Sequence, residues 1–174
     1  MLTSEQEKYL STLPNDKIVH IFPYTPKAKS IAEELIAKVH SRHPEINEGL
    51  FCGTAGLGIS GQNDLDVDFL IKPEEFGKYL PAFIELFGEP RVHENPVAAW
   101  SFEIEGVEVD IWLTDETSQS VKDQHAIFHI LQDTPPLRKE YEELKVRFDN
   151  KSYKDYQRAK YEFYNRILGV TRDI

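Results

Sequence analysis

Asp64, Asp66 and Asp68 stand at alternate positions, ten residues and more beyond a Gly53-Thr54 step, and a fourth aspartate, Asp110, lies in a later apolar run. The run Asp64-Leu65-Asp66-Val67-Asp68-Phe69-Leu70-Ile71 has the period of a strand, so its carboxylates share one face and Leu65, Val67, Phe69 and Ile71 the other. Like charges side by side are unfavourable unless water or a cation compensates. A divalent ion compensates well, and carboxylate oxygens suit hard Mg²⁺, with Mn²⁺ as a substitute. Two carboxylates on one strand and a third on its neighbour can hold two ions, the arrangement that clamps the attacking and leaving oxygens of a phosphoryl transfer. Val107-Glu108-Val109-Asp110-Ile111-Trp112 supplies the third. Glu108 and Asp110 lie on one face of that strand, and Asp110 is the preferred ligand. Asp64, Asp66, Asp68 and Asp110 are therefore the candidate metal ligands, with Asp66, Asp68 and Asp110 the candidate catalytic set. Backbone N–H groups at Gly53-Thr54, with the Thr54 hydroxyl, can cradle phosphate oxygens.

A calcium loop of the EF-hand type is the rival reading. Asp64, Asp66 and Asp68 match its first three ligand positions and Glu75 its twelfth, but the sixth position requires glycine and is Phe69. An exposed loop would also waste Leu65, Val67, Leu70 and Ile71. A solvated acidic strand face is the plainer alternative, and the glycine step and Asp110 argue against it.

The elements that must position these residues follow from periodicity. Residues 3–12 read as a short helix ended by Pro14, and 18–22 as an extended segment. Thr25 and Pro26 open a helix whose apolar face is Ile31, Leu35, Ile36 and Val39. Residues 50–52 read as a buried strand, and 53–63, with four glycines, as a flexible connection. Strand 64–71 is followed by a helical segment over 73–87 that Pro81 should bend or split. Strands near 91–94, 98–105 and 107–113 come next. From residue 117 the pattern turns helical: about 118–132, a second helix after Pro135, and a third from Ser152, where Ser152 and Asp155 have capping-box spacing. The fold class is α+β (mixed α/β), a mixed sheet flanked by helices. One domain is expected over 1–174, with a sheet-containing core to about 116 and C-terminal helices over about 117–170.

Composition fits this. Apolar residues make up 40% and charged residues 29% of the 174, as in ordinary globular chains. Cys52 is the only cysteine, which excludes an intramolecular disulfide and fits a reducing compartment. With no apolar span and no leader-like N-terminus, a cytoplasmic protein with no membrane partner is expected. The net charge of −10 is uneven: residues 1–133 carry ten Lys/Arg against 23 Asp/Glu, residues 134–174 ten against seven. An acidic body does not suit dense contact with a duplex phosphate backbone. It does not exclude a nucleotide held through metal ions.

The Gly53-Thr54 step, the Asp-x-Asp run and Asp110 resemble the DNA polymerase beta-like nucleotidyltransferase superfamily, with threonine where the usual step has serine. Both registers fit, Asp64/Asp66 and Asp66/Asp68; Asp66 belongs to either. A resemblance covering more of the chain is to the GrpB-like family: Val19 to Pro26, His125-Ala126-Ile127-Phe128, Glu140-Tyr141, Leu144-Lys145, and the run Tyr156, Ala159-Lys160, Phe163, Ile167-Leu168. Many members of that family keep one aspartate of the pair, whereas this chain has a complete Asp-x-Asp and Asp110.

The resemblance implies a nucleoside triphosphate, ATP first, bound with Mg²⁺. Nucleoside monophosphate would pass to an acceptor hydroxyl on a small molecule, a protein or an RNA end. Gly53 and Thr54 would hold the distal phosphates and Lys160 would reach the triphosphate. A nucleotide- or partner-binding module without turnover is the alternative. His125 and His129, at i and i+4, have a possible metal spacing but no evident third ligand, and are read as a helix-surface or partly buried pair. Cys52 is read as inert packing. Trp100 and Trp112 are read as core or pocket-edge aromatics.

Overall fold

A computed structural model describes residues 2–46 and 49–169. Its elements in chain order are α1 (Ser4–Thr12), β1 (Ile18–Val19), α2 (Lys27–Arg42), β2 (Leu50–Cys52), α3 (Gly53–Leu57), β3 (Asp64–Ile71), α4 (Phe76–Phe87), β4 (Val92–Glu94), β5 (Val97–Ile104), β6 (Val107–Asp115), α5 (Gln119–Asp133), α6 (Pro135–Arg147), β7 (Lys151–Ser152) and α7 (Tyr153–Ile167). A single 3₁₀ turn, Pro73–Glu75, leads into α4.

Strands β2-β3-β6-β5-β4 form a five-stranded mixed sheet, in which β3 and β6 are parallel and the other neighbours antiparallel. Alternation does what the strand period requires. Leu65, Val67, Phe69 and Ile71 of β3, with Val109, Ile111 and Leu113 of β6 and Trp100 of β5, are buried under α2 and α4. From α2 come Ile31, Ala32, Leu35 and Val39, and from α4 Phe76, Tyr79 and Phe83. The opposite, aspartate-bearing face is met by the C-terminal helices. These build a second apolar cluster of Ile127, Leu131, Tyr141 and Phe163 around Leu57 and Ile59.

Three local readings change. The glycine-rich connection is not irregular throughout: residues 53–57 close one helical turn, and Gly58 ends it at φ 68°, where a glycine is favoured. Pro81 does not split α4. The helix runs through it, because Phe76, Tyr79 and Phe83 are fixed against the sheet on one side and Pro81 is exposed on the other. The extended segment at Ile18–Val19 finds its partner late in the chain, in β7, with Ile18 opposite Ser152.

Of the two caps expected from sequence, Ser152 holds and Thr25 does not: α2 starts at Lys27 with Pro26 in the cap position and no side-chain cap bond, while Thr3 supplies a cap not expected from sequence. Thr3 and Gln6 form a capping box on α1, and the Ser152 hydroxyl accepts from the Asp155 N–H at the start of α7. α1 is tied to α7 by the Arg158–Glu7 ion pair, both guanidinium nitrogens engaged, and by a reciprocal Gln6–Asn165 amide pair. Among the described residues no helix is long and apolar enough to cross a membrane.

Candidate active site

Register, which sequence cannot supply, puts four residues in one row across the sheet. Cys52 of β2 pairs with Asp66 of β3, Asp66 with Asp110 of β6, and Asp110 with Ser101 of β5. Paired residues point to the same face, so Cys52, Asp66, Asp110 and Ser101 stand side by side. One row on, Asp68 is opposite Trp112; one row back, Asp64 is opposite Glu108. Asp64, Asp66 and Asp68 therefore line a common cavity of about 520 Å³ with Cys52, Gly53, Thr54 and Trp112. Its far wall is helical: Phe128 and Leu131 of α5, Tyr141 and Lys145 of α6, and Lys160, Tyr161 and Tyr164 of α7.

Asp66 is the electrostatic centre. Burial, then the charges of Asp64, Asp68 and Asp110, push its carboxyl up to about 7, with Lys160 pulling the other way. No cation among the described residues lies within ion-pair distance of Asp64 or Asp66; Asp64 has only a long contact of 3.5 Å from the Gln62 amide. A half-buried carboxylate among like charges and without a counter-ion is what a divalent ion relieves, so the donor set fits Mg²⁺ or Mn²⁺. Gly53 is required by this packing. Its φ is 71°, and a Cβ there would come within 3.0 Å of the Asp66 carboxylate. Thr54 is buried, its hydroxyl turned against Gly61, which has no room for a side chain.

Asp110 is differently placed. Its carboxylate accepts a hydrogen bond from the Ser101 hydroxyl and lies 3.4 Å from the Arg91 guanidinium, which also covers the Trp112 ring at 5.2 Å. Asp68, 8% exposed, is held by His125, whose Nε2 lies 3.0 Å from the carboxylate.

Sequence reasoning did not assign His125 to this site. The i, i+4 spacing with His129 is without consequence, since His129 is exposed against the Phe128 ring and only His125 turns inward. Cys52 also belongs to the site wall rather than to inert packing; burial and the Asp68 and Asp66 charges push its thiol up to about 12. Trp100 is core, its indole N–H donating to the Gly88 carbonyl, and Trp112 is at the cavity edge.

Two lysines face the carboxylates. Lys160, the residue singled out from sequence, lines the cavity, and the oxygens of Tyr164 and Tyr156 together with Asp64 favour its charged form against the effect of burial. Lys145 is 3% exposed, with its ammonium over the rings of Tyr141 at 5.2 Å and Tyr156 at 5.6 Å. Burial and the nearby Lys160 lower it to about 7, opposed by Asp64 and Asp66. Neither lysine has a carboxylate within 4 Å among the described residues. Lys145 carried a signal in its Leu144-Lys145 pair, but its orientation depends on how α6 packs on α7.

No family model matches the chain, and no curated protein matches it. Among solved structures, it is similar to the crystal structure of the conserved protein GrpB from Enterococcus faecalis. The TM-score is 0.62 at 12% identity, over 85% of this chain and 99% of that one. The fold is GrpB-like. At that identity the likeness concerns architecture alone.

Proposed function

We propose that the protein is a metal-dependent nucleotidyltransferase, taking a nucleoside triphosphate as donor and an acceptor hydroxyl as nucleophile. The observation that carries this reading is the polarity of one cavity: on the sheet wall Asp64 and Asp66, with no cation within ion-pair distance among the described residues, and on the helical wall Lys145 and Lys160, with no carboxylate within 4 Å among them. A metal triphosphate has the complementary polarity, cations on one side and phosphate oxygens on the other. Asp66, with Asp64 or Asp68, would hold the ions, and Asp110 would complete the set. Bound Mg²⁺ would lower the acceptor hydroxyl's pKa and neutralise the leaving pyrophosphate. Lys160 and Lys145 would bind phosphate oxygens, the bound anion favouring the charged form of Lys145, and Gly53-Thr54 would offer backbone N–H groups. Trp112 and Phe128 give apolar surface at the edge for a base. Rate enhancement would come from positioning and charge neutralisation rather than from covalent chemistry on the protein.

Calorimetric titration of a non-hydrolysable ATP analogue, with and without Mg²⁺ or Mn²⁺, tests this on wild type and Asp66→Asn. Binding that requires the ion and is lost in the variant supports the reading. Absence of binding to any triphosphate analogue by folded protein overturns it.

One observation favours the module without turnover: the third carboxylate, Asp110, is already engaged by Arg91 and Ser101. Metal-dependent pyrophosphate release in the presence of a pool of candidate acceptors would exclude that reading.

A further inference from the structure

Beside the oxygen-only carboxylates lies a donor set of a different kind. Cys52 ends β2, Asp68 is in the middle of β3, and His125 reaches over from α5. Cys52 pairs with Asp66, so it is the diagonal neighbour of Asp68 on the same face. The thiol sulfur, one Asp68 oxygen and one His125 nitrogen all lie within 4.8 Å of one another. The side chains of His125 and Asp68 are 13% and 12% exposed, which holds them out of bulk water, and Cys52 and Asp68 open onto the cavity.

We infer that Cys52, Asp68 and His125 form a second cation site, selective for a borderline divalent ion of the zinc type. Hardness separates the two sites. Mg²⁺ takes oxygen ligands and has little affinity for sulfur, whereas zinc accepts thiolate, imidazole and carboxylate together. Zinc–ligand bonds of about 2.0–2.3 Å in a tetrahedron set the donors roughly 3–4 Å apart. The Asp68–His125 pair already meets this at 3.0 Å, and the sulfur needs only a small side-chain adjustment. Three protein ligands leave a fourth position for water or a ligand, as in open rather than closed zinc sites. On binding, the Cys52 S–H bond breaks, the sulfur forms the metal bond and the proton leaves to solvent, since a divalent ion deprotonates a coordinating thiol outright.

The inference needs no nucleotide. It also divides the aspartates: Asp68 belongs to the mixed site, and Asp64 and Asp66 remain the oxygen-only pair.

Cobalt is the probe, because a thiolate bound to Co²⁺ gives a near-ultraviolet charge-transfer band that carboxylate sites lack. Tag-free full-length protein, reduced with a phosphine, is titrated with Co²⁺ alone; wild type, Cys52→Ser, His125→Ala and Asp64→Asn are compared, with circular dichroism confirming the fold. The expected result is one tightly bound equivalent that carries the band in wild type, ahead of weaker, band-free binding at the oxygen ligands. The band should vanish in Cys52→Ser, affinity should fall at least tenfold in His125→Ala, and Asp64→Asn should leave both unchanged. No band in wild type, or cobalt affinity unaffected by Cys52→Ser and His125→Ala, would overturn the site. So would loss of binding in Asp64→Asn alone, which would place the ion among the oxygen ligands. Failure of the triphosphate titration would leave these readings untouched, so the two ideas fall separately.

Discussion

Asp66 is raised to about 7 because folding takes it from water and sets it among Asp64, Asp68 and Asp110. A carboxyl with a raised folded pKa binds its proton more tightly in the folded than in the unfolded chain. Its favourable contribution is present below the unfolded value near 4 and is lost as pH rises through 7. In chelator, wild type should therefore lose stability between about pH 4 and 7, by up to a few kcal/mol at about 1.4 kcal/mol per pKa unit. Asp66→Asn should flatten that slope, and Mg²⁺ should restore stability above pH 7 in wild type only. Urea unfolding across the pH range measures all three. Arg91 makes a second prediction at this scale. Its guanidinium lies against Asp110 at a half-exposed site, where such a pair is worth up to about 1 kcal/mol. Arg91→Ala should free Asp110 and raise Mn²⁺ affinity up to about fivefold, read by calorimetry. Unchanged affinity would mean that Asp110 does not ligate.

At the scale of elements, strand period and caps were legible because they are local. The alternation of β3, the Ser152 cap and the Pro-initiated α6 all depend on residues within a few positions of one another. What was not legible depends on pairing. Nothing in Cys52 or Ser101 announces that they share a row with Asp66 and Asp110, and nothing at His125 says that α5 turns it onto Asp68. The carboxylates themselves were found because alternating charge between apolar runs is a local signal with few alternative explanations. Pro81 shows the converse, a strong local signal overridden by packing. It removes the N–H that would reach the Gly77 carbonyl, yet α4 continues because its buried face is fixed on the sheet. The local cost should therefore still be present and removable. Pro81→Ala, exposed and away from the cavity, should stabilise the protein by about 1–3 kcal/mol in urea unfolding, with triphosphate binding unchanged.

On the scale of the whole molecule, the chain builds two apolar clusters and leaves a polar cavity between them. The sheet supplies the aspartates from the face turned to the C-terminal helices, and those helices carry Lys145 and Lys160 on α6 and α7. The loop before β3 fastens the halves: the Ser60 N–H and hydroxyl both donate to the Glu142 carboxylate of α6. Keeping Lys145 almost fully buried with no carboxylate within 4 Å among the described residues is expensive, because a desolvated ammonium loses its hydration and gains only ring contacts and the more distant charges of Asp64 and Asp66. If a triphosphate is the missing anion, stability and binding must move in opposite directions when that charge is removed. Lys145→Met keeps the stem's length and packing while deleting the ammonium. The unliganded variant should be more stable by about 1–3 kcal/mol near neutral pH. Its affinity for the magnesium complex of a non-hydrolysable ATP analogue should fall at least tenfold. The gain in stability should shrink as pH rises above 7, because the wild-type lysine then sheds its proton and the penalty with it. A variant that is stabilised but binds triphosphate as tightly as wild type would show that Lys145 is buried for another reason, and would remove half of the positive wall from the site.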